Sequence, residues 1–299
     1  MATQPIPLMP ADDSSTSSES LPQKPARPRM STRNRLLFFF TAWLLVLMPF
    51  LFWWSTWFGR ALTPKEMNEY LNDNAHPRHI QHAIVQLGQR MSQHDASAAA
   101  WYGDLVRLAS NSREEVRSTD AWVMGQDTAG PGFHDALLKM LGDSSMTVRG
   151  NAALSLVRFG DSSGRAQIVS LLQPVVITTA SAGRVIDAAT AGTMIHQGGL
   201  IAKLQSSDSQ IHELRSPVTG RVRLATGTGA SVAAGASVAT IDPGEEQVWE
   251  ALRALYLIGQ VDDLPAIRPY ERELPEVSDR VRVQAMDTQR AIQQRAGSQ

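Results

Sequence analysis

With 299 residues the chain has room for one or two folded domains plus tails. A net charge of -1 leaves no basic surplus for nucleic acid, and 43% apolar residues fit a globular protein. The chain has no cysteine, which removes disulfides, thiol nucleophiles and thiolate metal sites together. Residues 1–30 are rich in Ser and Pro and poor in bulky apolar residues, so a disordered tail is predicted over 1–34. Residues 36–58 (LLFFFTAWLLVLMPFLFWWSTWF) carry no charge. At ~1.5 Å rise per residue this run exceeds the ~30 Å hydrocarbon thickness, and a transmembrane helix is predicted over 35–59. It outlasts the usual h-region of a cleaved signal, and no small-x-small site follows it. Trp53, Trp54 and Trp57 stand where an interfacial belt would sit, and Pro49 is tolerable at the cost of a kink. Lys24, Arg27, Arg29, Arg33 and Arg35 precede the span, whereas only Arg60 and Lys65 follow closely. The positive-inside rule then places the N-terminus in the cytoplasm and the bulk of the chain in the periplasm, as a single-pass bacterial inner-membrane protein.

Helical repeats are predicted over 60–174. Residues 79–93 show helical spacing through Ile80, Ile84, Leu87 and Met91. Two similar units follow, related by 32 residues. Leu105, Val106 and Leu108 lead to Asn111, Val116, Arg117, Ala121 and Trp122; Leu137, Leu138 and Met140 lead to Asp143, Val148, Arg149, Ala153 and Leu154. Two helices per unit at this period mark an α-solenoid. The shared element, a polar residue, four residues and then Val-Arg, returns as Glu276 to Val281-Arg282. The polar residue is expected to cap the second helix, Val to point inward, and Arg to bridge to an acid on the next repeat. Ile168, Val169, Leu171 and Leu172 repeat the first-helix pattern, but the matching second helix comes only at Glu246–Gly259. Something is therefore inserted inside the third repeat. Trp249 fills the Arg slot of that helix and is expected to pack against the insert.

The insert has a doubled β pattern. Residues 185–204 (VIDAATAGTMIHQGGLIAKL) align with 222–241 (VRLATGTGASVAAGASVATI) at a shift of 37, which puts Gly192 on Gly229 and Gly198 on Gly235. Apolar alternation with glycines at fixed offsets predicts two similar halves of a small β sandwich. The fold class is mainly α with inserted β, the insert covering 175–245 and the C-terminal repeats 246–299.

GDSSMTVRGNAALSLVRFGD (142–161) and VWEALRALYLIGQVDDLPAI (248–267) resemble the HEAT family, particularly its short bacterial HEAT-like repeats. Such repeats occur in bilin lyases, yet repeats alone transfer no activity. The element Leu214-Arg215-Ser216-Pro217-Val218-Thr219-Gly220 with the doubled strands resembles the biotinyl/lipoyl barrel-sandwich hybrid, and the matching module of periplasmic adaptor (membrane-fusion) proteins. Carrier domains of that type hold their cofactor on a lysine eight residues before the proline. Here Ser209 stands there and the tip QSSDSQ has no lysine, so the resemblance implies no cofactor. The long coiled-coil hairpin of efflux adaptors is also replaced by about ten residues.

Among chemical candidates, His76, His79 and His82 with His94 beyond form the densest titratable group. Residues at i and i+3 share a helical face, so His79 and His82 are the candidate metal pair. No carboxylate stands in good register and Pro77 puts His76 before the helix, so the expectation is a polar, membrane-proximal helix start with no metal. His134, His196 and His212 read as structural or solvated. Asp262-Asp263 is read as a cap on the next helix, and Gly227–Ser231 as a turn. No nucleotide-loop, nucleophile-elbow or zincin motif occurs. The expected role is a non-catalytic, membrane-anchored periplasmic scaffold or adaptor, with a transporter or channel subunit or a second copy of itself as partner. The alternatives are an envelope sensor with a cytoplasmic tail, and a metal-dependent or lyase-type enzyme.

Overall fold

The structure is a computed structural model, and it describes residues 31–57 and 60–298. The tail expected over 1–30 and the side chains of the Trp53, Trp54 and Trp57 belt lie outside the described residues. Helix α1 runs Thr32–Trp57 with Pro49 inside it. Its Thr32–Leu51 stretch has mean hydropathy 1.7 with no residue buried, which gives it the length and composition of a membrane anchor or a signal. The residues from Ala61 on form a separate compact unit.

That unit is built from helix pairs. They are α2 (Pro64–Leu71) with α3 (Pro77–Ser92), α4 (Tyr102–Leu108) with α5 (Glu114–Met124), and α6 (Phe133–Met140) with α7 (Met146–Arg158). Then come α8 (Arg165–Ser170) with α9 (Glu245–Ile258), and α10 (Leu264–Ile267) with α11 (Asp279–Gly297). The second helix of each pair packs on the next, in the order α3, α5, α7, α9, α11. Such stacking lets each pair bury an apolar face it could not bury alone. Helix α7 serves two cores. Val148, Ala152 and Leu156 join the cluster reaching back to Leu62, and Ala153 and Val157 join the one reaching forward to Ile292.

The Val-Arg signature is realised unevenly. Val116, Val148 and Val281 are buried as expected. Arg117 donates from Nε and Nη2 to both carboxylate oxygens of Asp143, at 2.6 and 2.9 Å, and so bridges to the next repeat. Arg149 instead turns back to the carbonyls of Asp143 and Ser144, and Arg282 pairs with Asp279 on its own helix. The polar residues do not cap the second helices. They stand two positions too early, so Asn111 and Asp143 accept from the amides of Arg113 and Ser145 and shape the turn. Ser145 and Ser278 are the residues that cap α7 and α11.

Between α8 and α9 the chain makes eight strands: β1 (Val175–Thr178), β2 (Gly183–Ala188), β3 (Met194–Ile195), β4 (Leu200–Gln205), β5 (Ile211–Arg215), β6 (Gly220–Leu224), β7 (Ser231–Val232) and β8 (Ser237–Pro243). They form two antiparallel sheets in the orders β1-β8-β6-β3 and β5-β4-β2-β7. Adding four to each strand of the first sheet, counted cyclically, reproduces the second, so the halves are related by an approximate two-fold and exchange their short strands β3 and β7. The aligned glycines carry this symmetry in their backbones. Gly192 and Gly229 have φ of 84° and 92°, and Gly198 and Gly235 have φ of 76° and 80°. These are left-handed conformations that glycine adopts without a Cβ penalty.

The ingoing strand β1 pairs with the outgoing β8, Val175 opposite Ile241, so the sandwich interrupts a repeat while keeping its two ends adjacent. The interrupted pair is tied directly. Gln247 on α9 donates to the Leu171 carbonyl at 2.8 Å, and Tyr270 donates to that of Leu172 at 2.7 Å. Burial, then the field of Asp242, pushes the Tyr270 phenol up to about 12, so it stays a donor across the physiological range. Trp249 joins the C-terminal helical cluster, with the Arg253 and Arg280 guanidiniums 4.6 and 3.8 Å from its ring. Asp263 makes no side-chain cap on α10, but its Oδ2 accepts from the Gln260 amide at 2.8 Å in a capping box that opens the 3-10 turn leading into it. Its Oδ1 accepts from Arg165 at 2.7 Å in a partly buried ion pair that joins the start of α8 to the chain before α10.

Candidate functional site

The second helices α5, α7, α9 and α11 form one face of the helical stack, and along it runs a groove of about 1120 Å³. The sandwich supplies a wall through Gln197, Val218 and Thr219. It is held there by its loops. Glu114 at the start of α5 accepts from the Ser145 hydroxyl at 2.6 Å and also from the Gln197 amide. Met146 packs against the sandwich core, and Pro217 offers its carbonyl to Thr147. The Pro217–Gly220 turn thus lies against α7.

The groove has apolar faces without an apolar plug. Trp122, Tyr256 and Leu257 are 49%, 43% and 61% exposed, although each sits on a helix whose opposite side is core. Three arginines line the site (Arg158, Arg253, Arg290) along with three acids (Glu246, Glu250, Asp287). Arg253 lies 3.6 Å from Glu250, and Arg290 lies 3.1 Å from Asp287, so much of this charge is neutralised locally. Arg158 donates to the Gly125 carbonyl and to the Gln126 side chain. A surface of exposed aromatic and aliphatic side chains, amides and balanced charge is chemically suited to an extended polypeptide.

The sequence-nominated residues fall elsewhere. Ser209 ends the turn between β4 and β5 with φ of 65°, and the Asp208 side chain accepts from Ser206 and from the Gln210 amide. Lys203 lies in β4, opposite Glu213. The pair His79 and His82 does not converge. His82 lies 2.9 Å from the Gln86 amide, whereas His79 Nδ1 lies 2.7 Å from Asp73 Oδ2. His76 Nδ1 approaches the same oxygen at 2.9 Å. A carboxylate does therefore accompany the histidines, and it comes from the turn before α3. Hydrogen bonds from His79 and then His76 hold the Asp73 carboxyl below its ordinary range. His134 spans two repeats to Asp161 at 2.7 Å, and Gly227–Ser231 forms the turn into β7.

No family model matches the chain, and no curated protein sequence matches it. Several solved helical-repeat structures are similar to it. The complex of CpcE and CpcF of phycocyanin lyase from Nostoc sp. PCC7120 shares 17% identity at a TM-score of 0.42, covering 79% of this chain and 67% of that one. A designed armadillo repeat protein in complex with the peptide (KR)4 shares 16% identity at a TM-score of 0.39, covering 76% and 80%. A computationally designed armadillo repeat protein for modular peptide recognition shares 18% identity at 0.38, with the same coverages.

Proposed function

We propose that this protein is a non-catalytic, membrane-anchored scaffold whose groove holds an extended segment of a partner protein. The observation that carries the reading is the exposure of Trp122, Tyr256 and Leu257 inside one groove on a helical repeat stack, a fold typical of protein-binding scaffolds. Helix α1 is the anchor, with the repeats on the periplasmic side, and the partner belongs to an envelope transport or secretion assembly. The two-fold topology of the insert supports a lipoyl-like module that shapes one wall of the groove and carries no acyl group. The paired charges favour a partner segment with apolar side chains and few net charges.

The proposal is tested with the double variant Tyr256→Ala, Leu257→Asp. Both side chains are exposed, so the substitutions should leave the circular dichroism and the melting temperature within error of the wild type. Co-purification of the envelope partner should fall by about ten-fold or more, the loss of one hot-spot contact. Unchanged recovery of the same partner would remove the groove from the interaction.

A further inference from the structure

The turn at Asp73 and the first turn of α3 gather three metal-ligating atoms outside the groove. Asp73, His76 and His79 each bring one ligand atom within 4.8 Å of the others, and the Nδ1 atoms of His76 and His79 stand 2.9 and 2.7 Å from Asp73 Oδ2. The arrangement is supported from several sides. Asp73 Oδ1 accepts from the His76 amide at 3.2 Å, which fixes the carboxylate. His76 Nδ1 lies near both carboxylate oxygens, 3.1 Å from Oδ1 and 2.9 Å from Oδ2, and Oδ2 also faces His79. Tyr70, on α2, stacks on the His79 ring with centroids 4.4 Å apart and planes 10° apart, which fixes that imidazole. The two imidazoles lie 5.1 Å apart, so neither blocks the other.

We propose that Asp73, His76 and His79 form a binding site for a divalent transition metal of the zinc class. Two imidazoles and one carboxylate match the donor set this class prefers, with a solvent molecule completing a tetrahedron. Ligand distances of about 2.0–2.2 Å require donor atoms somewhat over 3 Å apart. The present Asp73 Oδ2 separations of 2.7 and 2.9 Å would open by about half an ångström as the ion replaces the Nδ1 protons, within reach of small side-chain rotations. Both ring protons then reside on Nε2, and the carboxylate charge offsets the positive end of α3. His82, one turn on, faces Gln86 and takes no part. The ion would clamp the turn joining α2 to α3 and thereby stiffen the first repeat of the stack.

The experiment uses the full-length chain, purified in detergent without a polyhistidine tag and titrated with Co2+. It reads the visible bands of a tetrahedral cobalt ion and their displacement by Zn2+. The expected result is saturation at one ion per chain, with affinity lowered about ten-fold or more in His79→Ala and Asp73→Asn and unchanged in His82→Ala. Asp73→Asn retains an oxygen for the His76 amide, so its loss of binding would not reflect a lost turn. Absence of tetrahedral bands would overturn the proposal. So would a titration that His82→Ala weakens as much as His79→Ala, since that is the behaviour of scattered surface histidines.

Discussion

Replacing Arg117 with alanine should destabilise the folded unit by about 3 kcal/mol, the usual cost of leaving one member of a mostly buried ion pair behind. The Arg117 and Asp143 side chains are 14% and 10% exposed, and Arg117 also donates to the carbonyl of Asn111 at 2.8 Å. The variant should melt about 6–12 °C lower at neutral pH. The pH dependence identifies the mechanism. The hydrogen bond from Arg117 holds the Asp143 carboxyl below its ordinary 3.8. A depressed folded value gives stability that is present above the unfolded value and lost as pH falls through the folded one. The gap between wild type and variant should therefore be full at pH 7 and shrink below about pH 4. A gap that persists unchanged at pH 3 would show that lost packing, rather than the ion pair, had been measured.

Asp120 should behave in the opposite sense. It is fully buried on α5, and neither carboxylate oxygen has a hydrogen-bond partner among the described residues. Burial pushes its carboxyl well above the ordinary 3.8, with only the more distant field of Arg107 acting against this. The folded state then holds a proton that the unfolded state releases, so stability falls as pH rises above about 4. One repeat later, at the 32-residue shift, the equivalent position is Ala152, also fully buried. Asp120→Ala should therefore stabilise the protein by about 1–3 kcal/mol at pH 7, the cost of an unsatisfied buried polar group. The part of the gain that comes from proton uptake should shrink towards pH 4, leaving the pH-independent cost of the unpaired buried carboxyl. Thermal melts of the two proteins across pH 4–8 decide this, and a lower melting temperature for Asp120→Ala at pH 7 would sink the reading.

These two residues also mark how far the sequence could be read. The repeat spacing placed Val116, Val148 and Val281 in the core because a helix turns its apolar face inward whatever its partners are. The shift of 37 between the halves of the insert held down to the backbone angles of four glycines, since a left-handed turn admits few other residues. The interruption of the third repeat was legible because Ile168–Leu172 begins a pattern that only Glu246–Gly259 completes. Interactions that depend on loop geometry were not legible. Asn111 and Asp143 fit a capping pattern yet stand two residues before the caps. Asp73 lies outside any helix, so helical spacing offered His79 and His82 as a pair, while the turn after α2 brings Asp73 to His76 and His79. Nor did spacing mark the groove. Tyr256 and Leu257 sit on α9 among apolar residues that are buried, and only the three-dimensional packing shows that these two are left exposed in the groove.

The most direct test of the groove is site-specific photocrosslinking in native cells, with the photoreactive residue placed at Leu257 in the groove, at Lys139 on the outer helix α6, and at Asp208 on the sandwich tip. The expected result is a discrete adduct with an envelope protein from Leu257 that is absent from Lys139. Adducts from Lys139 or Asp208 with none from Leu257 would contradict the groove as the docking site and place the interaction on another face of the molecule.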